Sequence, residues 1–206
     1  MKIYKIGIIG CGGIAQKMAA TLEKMKGVER YAVASRNQEK AEAFANKWGF
    51  TKAYGSYEEL ASDPEVDLIY IATPHAMHYD NAHMCIEKGK PVLCEKAFTA
   101  NARQAEDLLA FAKEKGVFIT EAIWTRYMPL SLKIQELLKE GVIGTPYTLS
   151  ANLSYPISNK ERIIRPELAG GALLDIGVYT LNLQQWLSEV ILLKLILSAR
   201  RHKRES

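Results

Sequence analysis

An apolar run that ends in glycines limits this chain more than any other feature. "KIGIIG" fills residues 5–10 and leads straight into "CGGIA" at 11–15. A run with no polar alternation reads as a strand buried on both faces, as in a parallel sheet covered by helices. The pattern then repeats. Residues 14–26 place Ile14, Met18, Leu22 and Met25 at helical spacing. "YAVAS" (31–35) reads as a second strand, and residues 38–48 as a helix with Ala41, Phe44, Ala45 and Trp48 on one side. Ser56 with Glu59 three residues on marks another helix start. "DLIYIAT" (67–73), "PVLCEK" (91–96) and "VFITEA" (117–122) complete the strands, separated by helices over 76–88 and 101–115. This alternation predicts an α/β fold, a doubly wound parallel sheet of the Rossmann kind.

From residue 123 the rhythm changes. A helix over 129–140 ends at Gly141, "TPYTLSANLSY" (145–155) alternates like an exposed strand, and a loop with Pro156 and Pro166 follows. The division expected is residues 1–122 as a nucleotide-binding domain and 123–206 as a second, α+β domain.

The glycines suit a dinucleotide. Gly10, Gly12 and Ala15 form G-x-G-x-x-A between the first strand and the first helix, the context that motif requires. Gly10 allows the turn, Gly12 lets the backbone approach a pyrophosphate, and Ala15 lets the helix pack close. The rest of the loop, Cys11, Gly13 and Ile14, offers amides at a helix N-terminus, where an anion is favoured. The second strand ends at Ser35 and Arg36, where an NAD site usually has an acid. Arg36 can pair with a 2′-phosphate and Ser35 can donate to it, with Lys40 one turn on. NADP is therefore preferred over NAD.

Ligands of such sheets sit beyond the carboxyl ends of the strands. "ATPHAMH" there supplies Thr73, Pro74, His75 and His78, and "CEKAF" supplies Glu95 and Lys96. His75, His78 and His83 do not make a metal set. On a helix His83 would lie about 140° round from His78, and neither cysteine nor acid completes the ligands. "GGALLDIGVYTLN" sets Asp175 and Tyr179 one helical turn apart, an acid and a phenol on one face.

Charge and composition exclude some partners. The net charge is +4, but Arg200, Arg201, Lys203 and Arg204 against Glu205 supply +3 of it. That is a solvated tail, not a nucleic-acid face. The apolar run at 190–199 contains Lys194 and is too short to span a membrane. Cys11, Cys85 and Cys94 are widely spaced with no CxxC pair, as in a reduced, cytoplasmic protein.

The ordered series "GCGGIA", "ASR", "ATPHAMHYDNA", "CEKAF", "EAIWTRYMP" and "GGALLDIGVYTLN" resembles the Gfo/Idh/MocA oxidoreductases from residue 3 to about 182. Within that family it is most similar to the dimeric dihydrodiol dehydrogenase and NADP-linked xylose dehydrogenase branch. The resemblance implies a Rossmann domain, then an α+β domain whose open sheet often forms a homodimer. It also implies hydride transfer between NAD(P) and a sugar, polyol or diol hydroxyl. The family's Glu-Lys-Pro falls on Glu95, Lys96 and Ala97, with the lysine kept and the proline replaced. Its Trp-x-Arg falls on Trp124 and Arg126, at the nicotinamide end of the cofactor. Its acid and phenol fall on Asp175 and Tyr179.

The roles expected of these residues follow. Tyr179 is expected to be the acid/base. Lys96 lowers its pKa and orients the substrate, since a nearby cation favours a phenolate. Asp175 bonds a substrate hydroxyl or positions Lys96. After about residue 183 the family pattern fades, and the expectation is a C-terminally truncated second domain with a divergent tail. The alternative function is an NADP-binding fragment or sensor without turnover.

Overall fold

Six parallel strands form one sheet in the order β3-β2-β1-β4-β5-β6. They are β1 (Tyr4–Ile9), β2 (Val28–Ala34), β3 (Lys52–Tyr54), β4 (Leu68–Ile71), β5 (Val92–Cys94) and β6 (Ile119–Glu121). The computed structural model describes residues 2–157 and 159–188. The tail expected to diverge from about residue 183 lies mostly beyond these residues.

Helices cover both faces. Residues Ile6, Ile8, Val33 and Tyr70 point to one side, against α1 (Gly13–Leu22) and α2 (Gln38–Trp48). Ile9, Ala32, Ala34, Ile69 and Ile71 point to the other, against α3 (Tyr57–Ser62), α4 (His78–Glu87) and α5 (Ala102–Lys115). Adjacent strand residues thus serve opposite cores, which is why the strands read as unbroken apolar runs. The order reverses between β1 and β4, and that opens a crevice at their carboxyl ends.

Helix ends follow their chemistry. The Asn37 side chain accepts from Lys40 N at 2.8 Å, and Gly49 closes α2 in the left-handed region at φ 68°. Asn101 and Gly116 do the same for α5, and Ser56 accepts from Glu59 N at the start of α3. One predicted face was rotated. The buried side of α1 is Ala15, Ala19 and Leu22, while Ile14 and Met25 are exposed. The short alanine side chains let the helix axis lie close to the sheet, so the bulkier residues turn outward.

Two strand expectations changed. β3 was not anticipated, because three residues at a sheet edge carry no apolar run. The strand expected over 145–155 does not form. That segment is irregular and mostly exposed, with no ladder partner among the described residues, and a lone strand cannot satisfy its own backbone. Beyond the sheet come α6 (Pro129–Lys139), α7 (Glu161–Ile164), a π-helical turn at Leu173–Gly177 and α8 (Val178–Ser188). No helix among the described residues is long and apolar enough to cross a membrane.

One buried carboxylate fastens the edge strand. Asp63 accepts from Lys52 Nζ at 2.8 Å, Tyr54 hydroxyl at 2.6 Å and Glu65 N at 2.9 Å. Burial opposes its charge, but these bonds win and hold the carboxyl down at about 2. Its contribution is therefore complete above the unfolded value of about 3.9 and is lost as pH falls toward 2. Asp63→Asn should cost about 2 kcal/mol at neutral pH, read as a lower urea midpoint. The gap to the parent chain should close between pH 4 and pH 2; a gap constant with pH would contradict the assignment.

Candidate active site

The glycine loop is shaped by two constraints. Gly10 sits at φ +98°, and a Cβ there would meet the Ala72 carbonyl oxygen at 3.0 Å. A Cβ on Gly12 would instead enter open space. Gly12 caps α1, and no side chain bonds the amides of the first turn. Those amides of Gly13, Ile14 and Ala15 and the helix dipole face the crevice, so the loop fits a pyrophosphate. Cys11 is half-buried beside it, and burial pushes its thiol up, opposed by the Lys40 charge.

At the end of β2, Ser35 is buried, accepts from Asn37 N at 3.4 Å and lies within hydrogen-bond reach of the Cys11 thiol. Arg36 is exposed and lies near the Tyr57 hydroxyl. Arg36, Lys40 and Ser35 thus follow β2 with no carboxylate in the "ASRN" turn, a donor set whose chemistry fits an anion.

Behind the crevice, β4 continues into Thr73 and Pro74. His78, expected to line the cleft, is fully buried below it. Its Nε2 lies 2.7 Å from Thr73 O and its Nδ1 2.8 Å from Ala97 O. It therefore ties the exit of β4 to the turn after Lys96. Its burial outweighs those carbonyls and pushes its pKa down. His75 is buried beside it and held at about 4 by burial, His78 and Lys96. His83 stacks on Phe111 at 4.1 Å, away from both.

Glu95 is also buried. Its Oε1 accepts from the Tyr70 hydroxyl, and its Oε2 accepts from Lys96 N at 3.1 Å. The Lys96–Ala97 peptide is cis. Lys96 reaches across to the second half of the chain, where its Nζ donates to Asp175 O at 2.8 Å and Asp175 Oδ1 at 3.2 Å. The ammonium lies over the Tyr179 ring, 5.1 Å from its centroid. The Tyr179 hydroxyl accepts from Trp124 Nε1 at 3.0 Å. Arg126 Nε donates to Asn182 Oδ1 at 2.7 Å, so the segment after β6 is fixed to α8.

One expectation needs correcting here. Lys96 was to lower the Tyr179 pKa, yet the phenol is pushed up. Burial raises it most, the Trp124 bond offsets part of this, and the Glu95 and Asp175 charges add to it. The Lys96 charge meets the ring face and is neutralised by Asp175, so it does little for the phenolate oxygen. A second difference concerns Asp175 and Tyr179, which do not share one continuous α-helix. Asp175 lies in the π turn and Tyr179 in α8.

Residues 4–122 match the profile of the oxidoreductase family with an NAD-binding Rossmann fold, Gfo/Idh/MocA. The chain belongs to that family. Residues 131–204 match the Gfo/Idh/MocA C-terminal domain, so this match continues past residue 182. Among relatives, the D-xylose 1-dehydrogenase (NADP+) of Hypocrea jecorina is 44% identical over 86% of this chain and 51% of its own length. The trans-1,2-dihydrobenzene-1,2-diol dehydrogenase of Mus musculus is 41% identical over 84% of this chain and 53% of its own. The chain spans about half the length of the curated relatives it matches. A crystal structure of a 3-ketoreductase from Actinomadura kijaniata in complex with NADP and TDP-benzene superposes with a TM-score of 0.83. It is 31% identical and covers 90% of this chain and 57% of that one.

Sequence reasoning missed Arg162 in this Gfo/Idh/MocA chain. Its Nε and Nη2 each lie 3.2 Å from an Asp175 carboxylate oxygen. No local motif surrounds it. The only cue is a strand-end lysine and a buried acid that together leave one carboxylate oxygen unpaired.

Proposed function

We propose that this chain is an NADP-dependent oxidoreductase acting on a sugar, polyol or diol hydroxyl or the matching carbonyl. Residues 1–122 hold the cofactor, and residues 123–206 begin the substrate side. The observation that carries the reading is the Lys96 ammonium, gripped by Asp175 and laid against Tyr179, at the strand end beside an uncapped glycine loop. The NADP-linked xylose dehydrogenase and the NADP-bound ketoreductase among its relatives support the cofactor.

Gly10, Cys11, Gly12, Gly13, Ile14 and Ala15 would hold the pyrophosphate. Ser35 and Arg36 would hold the 2′-phosphate. Thr73, Pro74, Glu95, Trp124 and Arg126 flank the nicotinamide end, with His78 supporting them from below. When bound there, the cofactor supplies or accepts the hydride.

The protein's part is proton and charge. The Lys96 ammonium has three N–H bonds, and Asp175 takes two. The third can bond the substrate oxygen and polarise it. The Tyr179 hydroxyl gives its proton to that oxygen during reduction and takes it back during oxidation. Trp124 Nε1–H stabilises the phenolate left behind. Because the phenol is raised, it is protonated at neutral pH and ready to act as the acid of carbonyl reduction.

The test is direct. The 206-residue chain is titrated with NADPH and NADP, then assayed by NADPH absorbance on pentoses, diols and their carbonyl counterparts. Turnover with any of them supports the reading, and absence of cofactor binding rejects it. Binding without turnover favours a second reading, a nucleotide-binding module. That reading draws on residues 145–155, which leave Tyr147 95% exposed and build no wall over the site.

Arg36→Ala should raise the KM for NADP about 10- to 100-fold, the worth of charged hydrogen bonds. The KM for NAD should change little. Equal loss for both cofactors would mean that Arg36 does not read the 2′-phosphate.

Two finer points belong to the same reading. Exposed Leu130, Val142, Ile143 and Tyr147 support a dimer surface on the second half of the chain. Free Cys11, Cys85 and Cys94 support a reducing, cytoplasmic setting.

A further inference from the structure

We propose that Arg162 is a positioning residue for this site, the group that fixes the Asp175 carboxylate in the orientation that anchors Lys96. The inference rests on the roles of Lys96 and Tyr179 proposed above. Asp175 has a side chain only 6% exposed, and burial alone would push its carboxyl toward the neutral form. The carboxyl is instead held below its usual value, because the Arg162 bonds and the Lys96 charge outweigh burial.

The fork is bidentate. Arg162 Nε meets Oδ1 and Nη2 meets Oδ2, each at 3.2 Å. Lys96 shares Oδ1 but does not reach Oδ2. Among the described residues, Arg162 alone serves Oδ2. The other titratable groups around this site are His75 before α4 and Tyr179 on α8, which both feel the Asp175 charge, and Glu95 after β5, which acts on Tyr179. None can replace it, since His75 is held at about 4 and the others carry no positive charge.

The backbone is shaped to deliver this arginine. The chain after α7 folds back on itself, and Gly170 N donates to Arg165 O at 3.1 Å. A Cβ at Gly170 would lie 2.6 Å from Arg165 O and 2.7 Å from Ile163 O, so only glycine fits. Gly171 then turns at φ +125° into the π turn that carries Asp175. The double glycine thus brings Arg162 and Asp175 face to face although 13 residues separate them. The Arg162 side chain is 47% exposed, so water reaches its outer edge.

Three readouts test this in the 206-residue chain. Arg162→Ala should lower kcat about 10- to 100-fold and leave the NADPH Kd within about twofold. Guanidinium added to Arg162→Ala should recover part of that kcat and do nothing for the parent chain. By carbon-13 NMR, the Asp175 carboxyl should titrate higher in the variant, because a group that favours its charged form is gone. Arg162→Lys keeps the charge without the fork and should fall between the two. Arg162→Gln provides the same measurements should the alanine variant fail to fold. Parent-like kcat with an unmoved Asp175 titration overturns the proposal. A parent chain that turns over no substrate rejects the proposed activity instead, and the Asp175 titration still decides the role of Arg162.

Discussion

Lys96→Met is expected to remove turnover, by about 10²- to 10³-fold or more, while NADP(H) affinity stays within about twofold. The size follows from removing a preorganised positive charge at the substrate oxygen, a loss of that order in sites of this kind. The selectivity follows from geometry. Lys96 Nζ bonds Asp175 and lies over the Tyr179 ring, both on the second half of the chain and neither in the glycine loop. Methionine keeps the length and apolar stem of the side chain, so Glu95 and the turn at Ala97 keep their packing. Turnover and cofactor titration on the same preparation provide the check. Near-normal turnover would remove Lys96 from the mechanism, and lost cofactor binding would place it in the nucleotide site instead.

Tyr179→Phe should lower kcat by about 10²- to 10⁴-fold, the range for losing a general acid. Its second signature lies in pH. Burial raises the phenol, with help from Glu95 and Asp175, so its proton leaves only above the ordinary tyrosine value of about 10. Oxidation needs the phenolate, so its rate should climb with pH up to and beyond that value. Reduction needs the phenol, so its rate should hold at neutral pH and fall only in the same high range. Both dependences should vanish in the phenylalanine variant. An oxidation rate that is flat from pH 7 to pH 10 in the parent chain would falsify the acid/base role.

Much of this site was legible because its residues follow strands. A buried parallel strand announces itself by an unbroken apolar run, and the residue after it must lie at the sheet edge. That places Thr73, Glu95 and Lys96 together without any knowledge of loops. The cap at Ser56 was equally legible, since it acts through a bond to a residue three positions on. What escaped depends on distant partners. The segment 145–155 alternates correctly, but alternation specifies two faces, not a neighbouring strand. β3 is three residues long and exists because β2 offers an edge. The burial of His78 was hidden because its partners are main-chain carbonyls, which no side-chain pattern reveals. The raised phenol of Tyr179 depends on which atom of the ring Lys96 meets, and spacing along a chain says nothing about that.

The π turn has a consequence for variation at this site. Lys96 is gripped twice by one residue, and the shorter of the two bonds goes to the main-chain oxygen of Asp175 at 2.8 Å. No codon change at 175 removes that oxygen. A changed side chain there removes the carboxylate that Arg162 holds and leaves the carbonyl bond, so the amine keeps one of its two anchors and loses the other. The part of the anchor that no side chain at 175 carries is the local winding that turns this carbonyl toward Lys96. Gly171, at φ +125°, leads into that winding and Gly177 ends it.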